Sequence, residues 1–304
     1  MSTERAAVGS AVNRQPMILS YIALARPKQW VKNGAVLAGL FFSERLDRSL
    51  SIEHSLAATA AFCLVSSAVY CVNDIADRAA DAEHPEKRHR PLATGALQPK
   101  DAALAAVVLV LGAAAIVAGF GLAWQVPVIL AAYLLLNIAY SMWLKHLALL
   151  DVVVIASGFV LRLVAGTYAV GVPPSSWIVL CTGLLSLFLA LGKRRGDLER
   201  EGIAERPSLD GYTIGFIDQA LGMMAAATVV VYALFTVSDY AQFRFHAEGL
   251  YLTTFPVVVG ILRYLQVVVV QGVYGSPADI VLRDRPLQLI GAIWLGLFAV
   301  FVYT

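Results

Sequence analysis

The chain has 304 residues, of which 59% are hydrophobic and only 14% charged, and its mean hydropathy is +0.72. Soluble domains carry roughly 25% charged residues, so the composition excludes a soluble globular protein and points to an all-α polytopic membrane protein. A net charge of +2 gives no footing for nucleic acid as a partner.

Residues 1–16 are polar, lack the apolar core of a cleavable signal peptide and read as a tail. Residues 17–304 read as one helical transmembrane domain. Stretches able to cross about 30 Å of hydrocarbon fall at roughly 31–43 (lengthened by the amphipathic turn before it), 55–73, 102–122, 126–144, 149–170, 176–192, 214–238, 249–271 and 286–303. They predict a bundle of about nine transmembrane helices. The N-terminal segment and every second loop hold nineteen of the 23 Lys and Arg residues. The positive-inside rule therefore puts the N-terminus and the loop after the second span on the cytoplasmic side of a cell (inner or plasma) membrane. Cys63, Cys71 and Cys181 lie within spans without metal-ligand spacing and read as packing residues.

In chain order, the first polar signal is ARPKQWVKN. It holds Lys28 and Lys32 four residues apart, which in an α-helix share a face, with Trp30 as an interfacial anchor. The most informative stretch follows the second span: Asn73–Asp81, NDIADRAAD. At about 100° per residue, Asn73, Asp74, Asp77 and Asp81 fall on one helical face roughly 100° wide, one turn beyond Tyr70. Carboxylates crowded at the mouth of a membrane helix repel each other and are costly to desolvate, and a divalent cation removes both penalties. Oxygen-only ligands with phosphate nearby favour Mg²⁺, with Asn73 and Asp77 as direct ligands and Asp74 and Asp81 ligating or orienting through water. Asp74, Asp77 and Asp81 are accordingly the candidate catalytic residues. A solvated acidic helix end is the plainer alternative. The next segment, HPEKRHRPLATG, sets Lys87, Arg88 and Arg90 beside the acids, as a metal–diphosphate site requires.

The fourth loop, YSMWLKHLALLD, supplies Tyr140, Lys145 and Asp151, and Arg162 lies inside the fifth span. A lone intramembrane Arg faces the bundle interior or a wet cavity and is functional by default. Asp151 or the 73–81 cluster is its expected partner, whether in a binding site or in a structural ion pair. The sixth span ends in LGKRRGDLERE, where Lys193 and Arg194 form a candidate anion cradle. Arg263, Arg283, Asp284 and Arg285 read as flanking or gating residues.

The pattern NDxxDxxxD followed by HPxKxxRPxAxG, in a chain of about nine spans, resembles the UbiA-type superfamily of intramembrane prenyltransferases. Its members normally carry a second aspartate-rich motif in the sixth-to-seventh loop. This chain departs there, offering Lys193, Arg194 and Arg195 with only Asp197 and Glu199 as acids. Together with RPKQWVKN and the LKH of the fourth loop, that departure resembles the branch that moves phosphoribosyl groups onto decaprenyl phosphate for cell-wall arabinan (arabinogalactan) synthesis. The resemblance implies a Mg²⁺-dependent membrane phosphoribosyltransferase. Its partners would be 5-phosphoribosyl 1-diphosphate and a polyprenyl phosphate, with a homo-oligomer possible. Prenyl diphosphate and phosphoribosyl diphosphate present the same leaving group, so one acidic face serves either donor. A lipid phosphate brings its own anionic nucleophile and needs cations rather than a base. Lys28, Tyr70 and Lys87 are then expected at the donor, with Lys145, Arg162 and Arg194 at the lipid phosphate. The alternatives are prenyl transfer to an aromatic or quinone acceptor and, from another class, a transporter.

Overall fold

The computed structural model describes residues 17–201, 207–246 and 248–303, and all its regular elements are helical. The polar tail, residues 1–16, lies outside the described residues. In chain order the α-helices are α1 (Met17–Ala25), α2 (Gly34–Phe41), α3 (Ser49–Ala76), α4 (Arg78–Glu83), α5 (Pro99–Gly119), α6 (Gln125–Met142) and α7 (Leu150–Ala169). They continue with α8 (Ser176–Glu201), α9 (Ile214–Val237), α10 (Asp239–Phe245), α11 (Thr254–Leu265), α12 (Pro277–Arg283) and α13 (Arg285–Tyr303). Eight helical stretches among the described residues are long and apolar enough to cross a membrane.

Burial sorts these helices. α3 and α7 are the most enclosed, whereas α13 and α5 turn most of their surface outward. α3 achieves this with small residues: Ala57, Ala58, Ala61, Ser66, Ser67 and Ala68 are all buried, allowing neighbouring backbones to approach closely. Leu104, Val107, Val108 and Leu111 on α5 are exposed, as expected of a face solvated by lipid tails. α5 begins with Pro99 inside a reciprocal capping box between Gln98 and Asp101, which satisfies amide groups that a helix start leaves unpaired.

The first predicted span is broken. Instead of one apolar helix over 31–43, the chain makes a seven-residue 3-10 helix, Pro27–Asn33, and continues directly into α2. A 3-10 helix rises about 2.0 Å per residue against 1.5 Å in an α-helix, so residues 27–41 cover about 26 Å. Arg26 is level with Asp74 at one end of α3, while Phe41 at the other end accepts a hydrogen bond from the Tyr303 hydroxyl (2.6 Å). The same geometry overturns the expected pairing of Lys28 and Lys32. At three residues per turn, positions four apart lie about 120° round the axis; Lys28 is exposed and Lys32 half-buried.

α2 is seated on α7 through two glycines. A Cβ on Gly166 would lie 1.9 Å from the Val36 carbonyl oxygen, and one on Gly39 would lie 2.3 Å from the Gly166 carbonyl carbon. Both obstacles are backbone and cannot swing aside. Gly166→Ala is expected to lose about 3 kcal/mol by overpacking, read as a thermal midpoint several degrees lower in detergent. An unchanged midpoint would mean that α2 is not docked there.

Beyond the predicted end of the sixth span at 192, α8 runs unbroken to Glu201, so GKRRGDLERE is helix rather than loop. Near its end Arg200 pairs with Glu86. That contact brings the 84–90 segment and the end of α8 to the same side of the bundle, as the charge distribution requires.

Candidate active site

α3 ends at Ala76, and Asp77 forms the junction with α4 (φ −94°, ψ 4°). The junction is mild: the Asp77 amide donates to the Asn73 carbonyl (2.9 Å) and the Asp81 amide to the Asp77 carbonyl (2.8 Å). The four acidic-face residues thus stay together across the break, as the helical spacing predicts. Asp74 and Asp81 are buried, at 1% and 4% exposure, and Asp77 is half-buried.

Each carboxylate contacts a cation. Arg90 bridges Asp74 (3.2 Å) and Asp81 (2.6 Å), Arg26 pairs with Asp74, and Lys145 pairs with Asp77. The Asn73 amide oxygen accepts from the Ser141 hydroxyl (3.1 Å). Arg26 also lies over the Tyr70 ring, 4.9 Å from its centroid, so Tyr70 borders the cluster as expected. Lys87 is half-buried in a 3-10 turn, Lys87–His89, and Arg88 is exposed beside it. Arg26 adopts a left-handed backbone conformation (φ 51°), rare for a side chain of this size, and its guanidinium holds Asp74.

Among the described residues no three acidic, histidine or cysteine side chains gather closely enough to hold a metal alone. The donor set still fits Mg²⁺. It is oxygen-only, and Mg²⁺ characteristically takes one or two carboxylates and completes its shell with substrate oxygens and water. Arg26, Arg90 and Lys145 are the cations that contact these acids.

The expected partners of Arg162 are corrected. Its Nε donates to the Asn33 side-chain oxygen, Nη1 to the Gly158 carbonyl and Nη2 to the Tyr133 hydroxyl, each at 2.8 Å. Its guanidinium also lies 4.6 Å from the Tyr133 ring centroid. Neither Asp151 nor the 73–81 cluster reaches it, because Arg162 sits about 18 Å along α7 from Leu150. A buried guanidinium is thus held by neutral groups, with no carboxylate within hydrogen-bonding distance among the described residues.

Asp151 belongs instead to Arg194. The two are 0% and 1% exposed; Arg194 Nε donates to Asp151 (2.5 Å) and Nη1 to Asp197 (2.5 Å). Lys193 reaches Asp197 as well (3.0 Å). The anion cradle expected of Lys193 and Arg194 is therefore divided: Arg194 is enclosed between two carboxylates, while Lys193 remains half-exposed. Tyr140 is a distant neighbour of Arg194, at 3.5 Å.

The Tyr212 hydroxyl donates to Asp151 (2.7 Å) and accepts the amide N–H of Leu149 (2.7 Å). Leu149 has φ 67°, a strained backbone for a leucine, so Tyr212 fixes the turn that carries Lys145. Burial, reinforced by the Asp151 bond, pushes the Tyr212 phenol above its ordinary pKa, and it stays a donor at neutral pH. Arg26, Asn33, Tyr133 and Tyr212 escape sequence reasoning, although polar residues inside apolar spans mark Asn33 and Tyr133.

An apolar cavity of about 710 Å³ opens between α2, α8, α9, α11 and α13. Phe41, Trp177, Phe188, Tyr232, Trp294 and Phe298 line it. Both its size and its lining suit a hydrocarbon chain.

Comparison with known proteins agrees with this arrangement. Residues 34–273 match the sequence model of the UbiA prenyltransferase family. The decaprenyl-phosphate phosphoribosyltransferase of Mycolicibacterium smegmatis is 34% identical, over 94% of this chain and 93% of that protein. The decaprenyl-phosphate phosphoribosyltransferase of Mycobacterium tuberculosis is 35% identical, over 92% and 93% respectively. In fold, the chain superposes on a UbiA homolog from Archaeoglobus fulgidus bound to DMAPP and Mg²⁺ with a TM-score of 0.72. Sequence identity there is 19%, and the match covers 94% of this chain and 100% of that one. With a family match over most of its length and this identity to full-length relatives, the chain belongs to the UbiA prenyltransferase family.

Proposed function

We propose that this protein transfers the 5-phosphoribosyl group from 5-phosphoribosyl 1-diphosphate to a polyprenyl phosphate, releasing diphosphate. The lipid is decaprenyl phosphate in the relatives' names, and the product would serve cell-wall arabinan synthesis. The observation that carries the reading is the similarity to those phosphoribosyltransferases over nearly the whole chain. The buried cation Arg162, with no carboxylate partner among the described residues, and the apolar cavity support it. The reaction takes place at the cytoplasmic side of the plasma membrane, where nineteen of the 23 Lys and Arg residues fall.

Asn73 and Asp77, with Asp74 and Asp81, would hold Mg²⁺, which when bound would neutralise charge on the diphosphate leaving group. Lys28, Tyr70 and Lys87 bind the donor, with Arg26, Arg88 and Arg90 around the diphosphate and Lys32 nearby. Arg162, deepest in the bundle, meets the lipid headgroup as it enters from the bilayer, and Lys145 and Lys193 hold its phosphate nearer the donor. Arg194 acts as a positioning residue through Asp151 and Asp197. A lipid phosphate oxygen attacks C1 of ribose while the bond from C1 to the diphosphate oxygen breaks on the opposite face, inverting the carbon. No general base is needed, since the second ionisation of a phosphate monoester lies near pH 6. Positioning and electrostatics do the catalysis.

Incubation with isotopically labelled donor and polyprenyl phosphates of several lengths, followed by thin-layer separation, is expected to yield a labelled lipid. Arg162→Lys keeps the charge but loses the planar fork. It is expected to raise the lipid concentration needed for half-maximal rate about tenfold, with donor affinity little changed. Harm to donor binding alone would reverse the assignment of the two phosphate pockets.

A further inference from the structure

Five buried side-chain oxygens among the described residues have no hydrogen-bond partner, and of the residues that carry them only Tyr264 lines the apolar cavity. Tyr264 is 3% exposed, and its ring packs on Phe188 with centroids 5.3 Å apart. A buried hydroxyl left unpaired is costly, and here the enclosing helices offer it nothing. Its position identifies what it awaits. A Cβ on Gly192 would lie 2.9 Å from the Tyr264 oxygen, so the hydroxyl sits against the glycine that immediately precedes Lys193. It therefore marks the end of the cavity nearest the charged cluster. The chain beyond it is pinned: the π-helical turn Gln266–Val270 is tied to α8 by Arg195, whose Nη1 donates to the Val268 carbonyl (3.2 Å).

We infer that Tyr264 is a specificity-determining residue whose hydroxyl donates a hydrogen bond to the phosphate of the polyprenyl phosphate. It would fix how far the isoprenoid chain slides into the cavity and hold the headgroup near Lys193. The inference rests on the proposed function. It adds a recognition element that separates a lipid phosphate from the corresponding alcohol. The absence of a side chain at Gly192 leaves the space that the Tyr264 ring edge and hydroxyl occupy.

The test is direct binding of a polyprenyl phosphate, and of a polyprenol of equal length, to the purified full chain and to Tyr264→Phe. A hydrogen bond to a charged group is worth about tenfold or more in affinity. Tyr264→Phe is expected to bind the phosphate about tenfold more weakly and the polyprenol equally. Affinity for phosphoribosyl diphosphate should stay unchanged, and without ligand the thermal midpoint should be no lower than that of the parent. Gly192→Ala, which pushes the ring aside, is expected to reproduce the loss. Equal binding of the lipid phosphate by the parent and Tyr264→Phe would overturn this inference and leave the proposed function standing. Failure of the parent protein to bind polyprenyl phosphate would overturn both.

Discussion

Asp77→Ala is expected to lower turnover by about 10²–10³-fold, the usual cost of losing an electrostatic stabiliser of developing charge. The structure makes this a clean experiment. Asp77 is half-buried and among the described residues pairs with Lys145, itself partly exposed, and a pair in such a setting contributes about 1 kcal/mol or less to folding. The variant should therefore fold, and the rate loss should report chemistry. Asp74 and Asp81 are less suitable first targets, because each is buried against Arg90 and its removal would disturb both folding and catalysis. Raising Mg²⁺ should not restore Asp77→Ala, since the diphosphate would remain opposed by the other two carboxylates. Activity within about threefold of the parent would remove Asp77 from the site.

The largest effect on folding is expected at Asp151. Breaking a buried ion pair by deleting one partner costs about 3–5 kcal/mol, because the other charge stays desolvated. Asp151→Ala leaves Arg194 with Asp197 alone and removes the acceptor of the Tyr212 hydroxyl. It also frees the strained turn at Leu149 that presents Lys145. The thermal midpoint should fall sharply for Asp151→Ala and for Arg194→Ala, but barely for Lys193→Ala, whose contact with Asp197 is half-exposed. If Arg194→Ala and Lys193→Ala instead left the midpoint intact and equally weakened lipid binding, the two would form the anion cradle that their sequence spacing suggests.

What could be read in the sequence follows the range of the interactions involved. The acidic face of Asn73–Asp81 depends on contacts within two helical turns, so helical periodicity placed all four residues together despite the break at Asp77. Eight of the expected spans appear as continuous helical stretches, because apolar length alone decides them. The first span, expected over 31–43 with the turn before it, is a 3-10 segment followed by a short α-helix. Its 3-10 segment carries the residues of an α-helix at a longer rise, and periodicity reasoning assumed the shorter one. The partners of the buried cations were not legible. Arg194 and Asp151 are 43 positions apart, and Arg162 and Asn33 are 129 apart. Facing charges on different helices can be paired in several ways until the packing is known. Tyr264 carried no signal at all, since an unpaired hydroxyl is defined only by what surrounds it.

The central claim is tested most directly by diphosphate release from 5-phosphoribosyl 1-diphosphate, measured on purified protein with Mg²⁺ and polyprenyl phosphate each added or withheld. Release is expected only when both are present, in step with a phosphoribosylated lipid, and should stop on chelation of the metal. Diphosphate release from a prenyl diphosphate in the presence of an aromatic acceptor, with none from the phosphoribosyl donor, would contradict it.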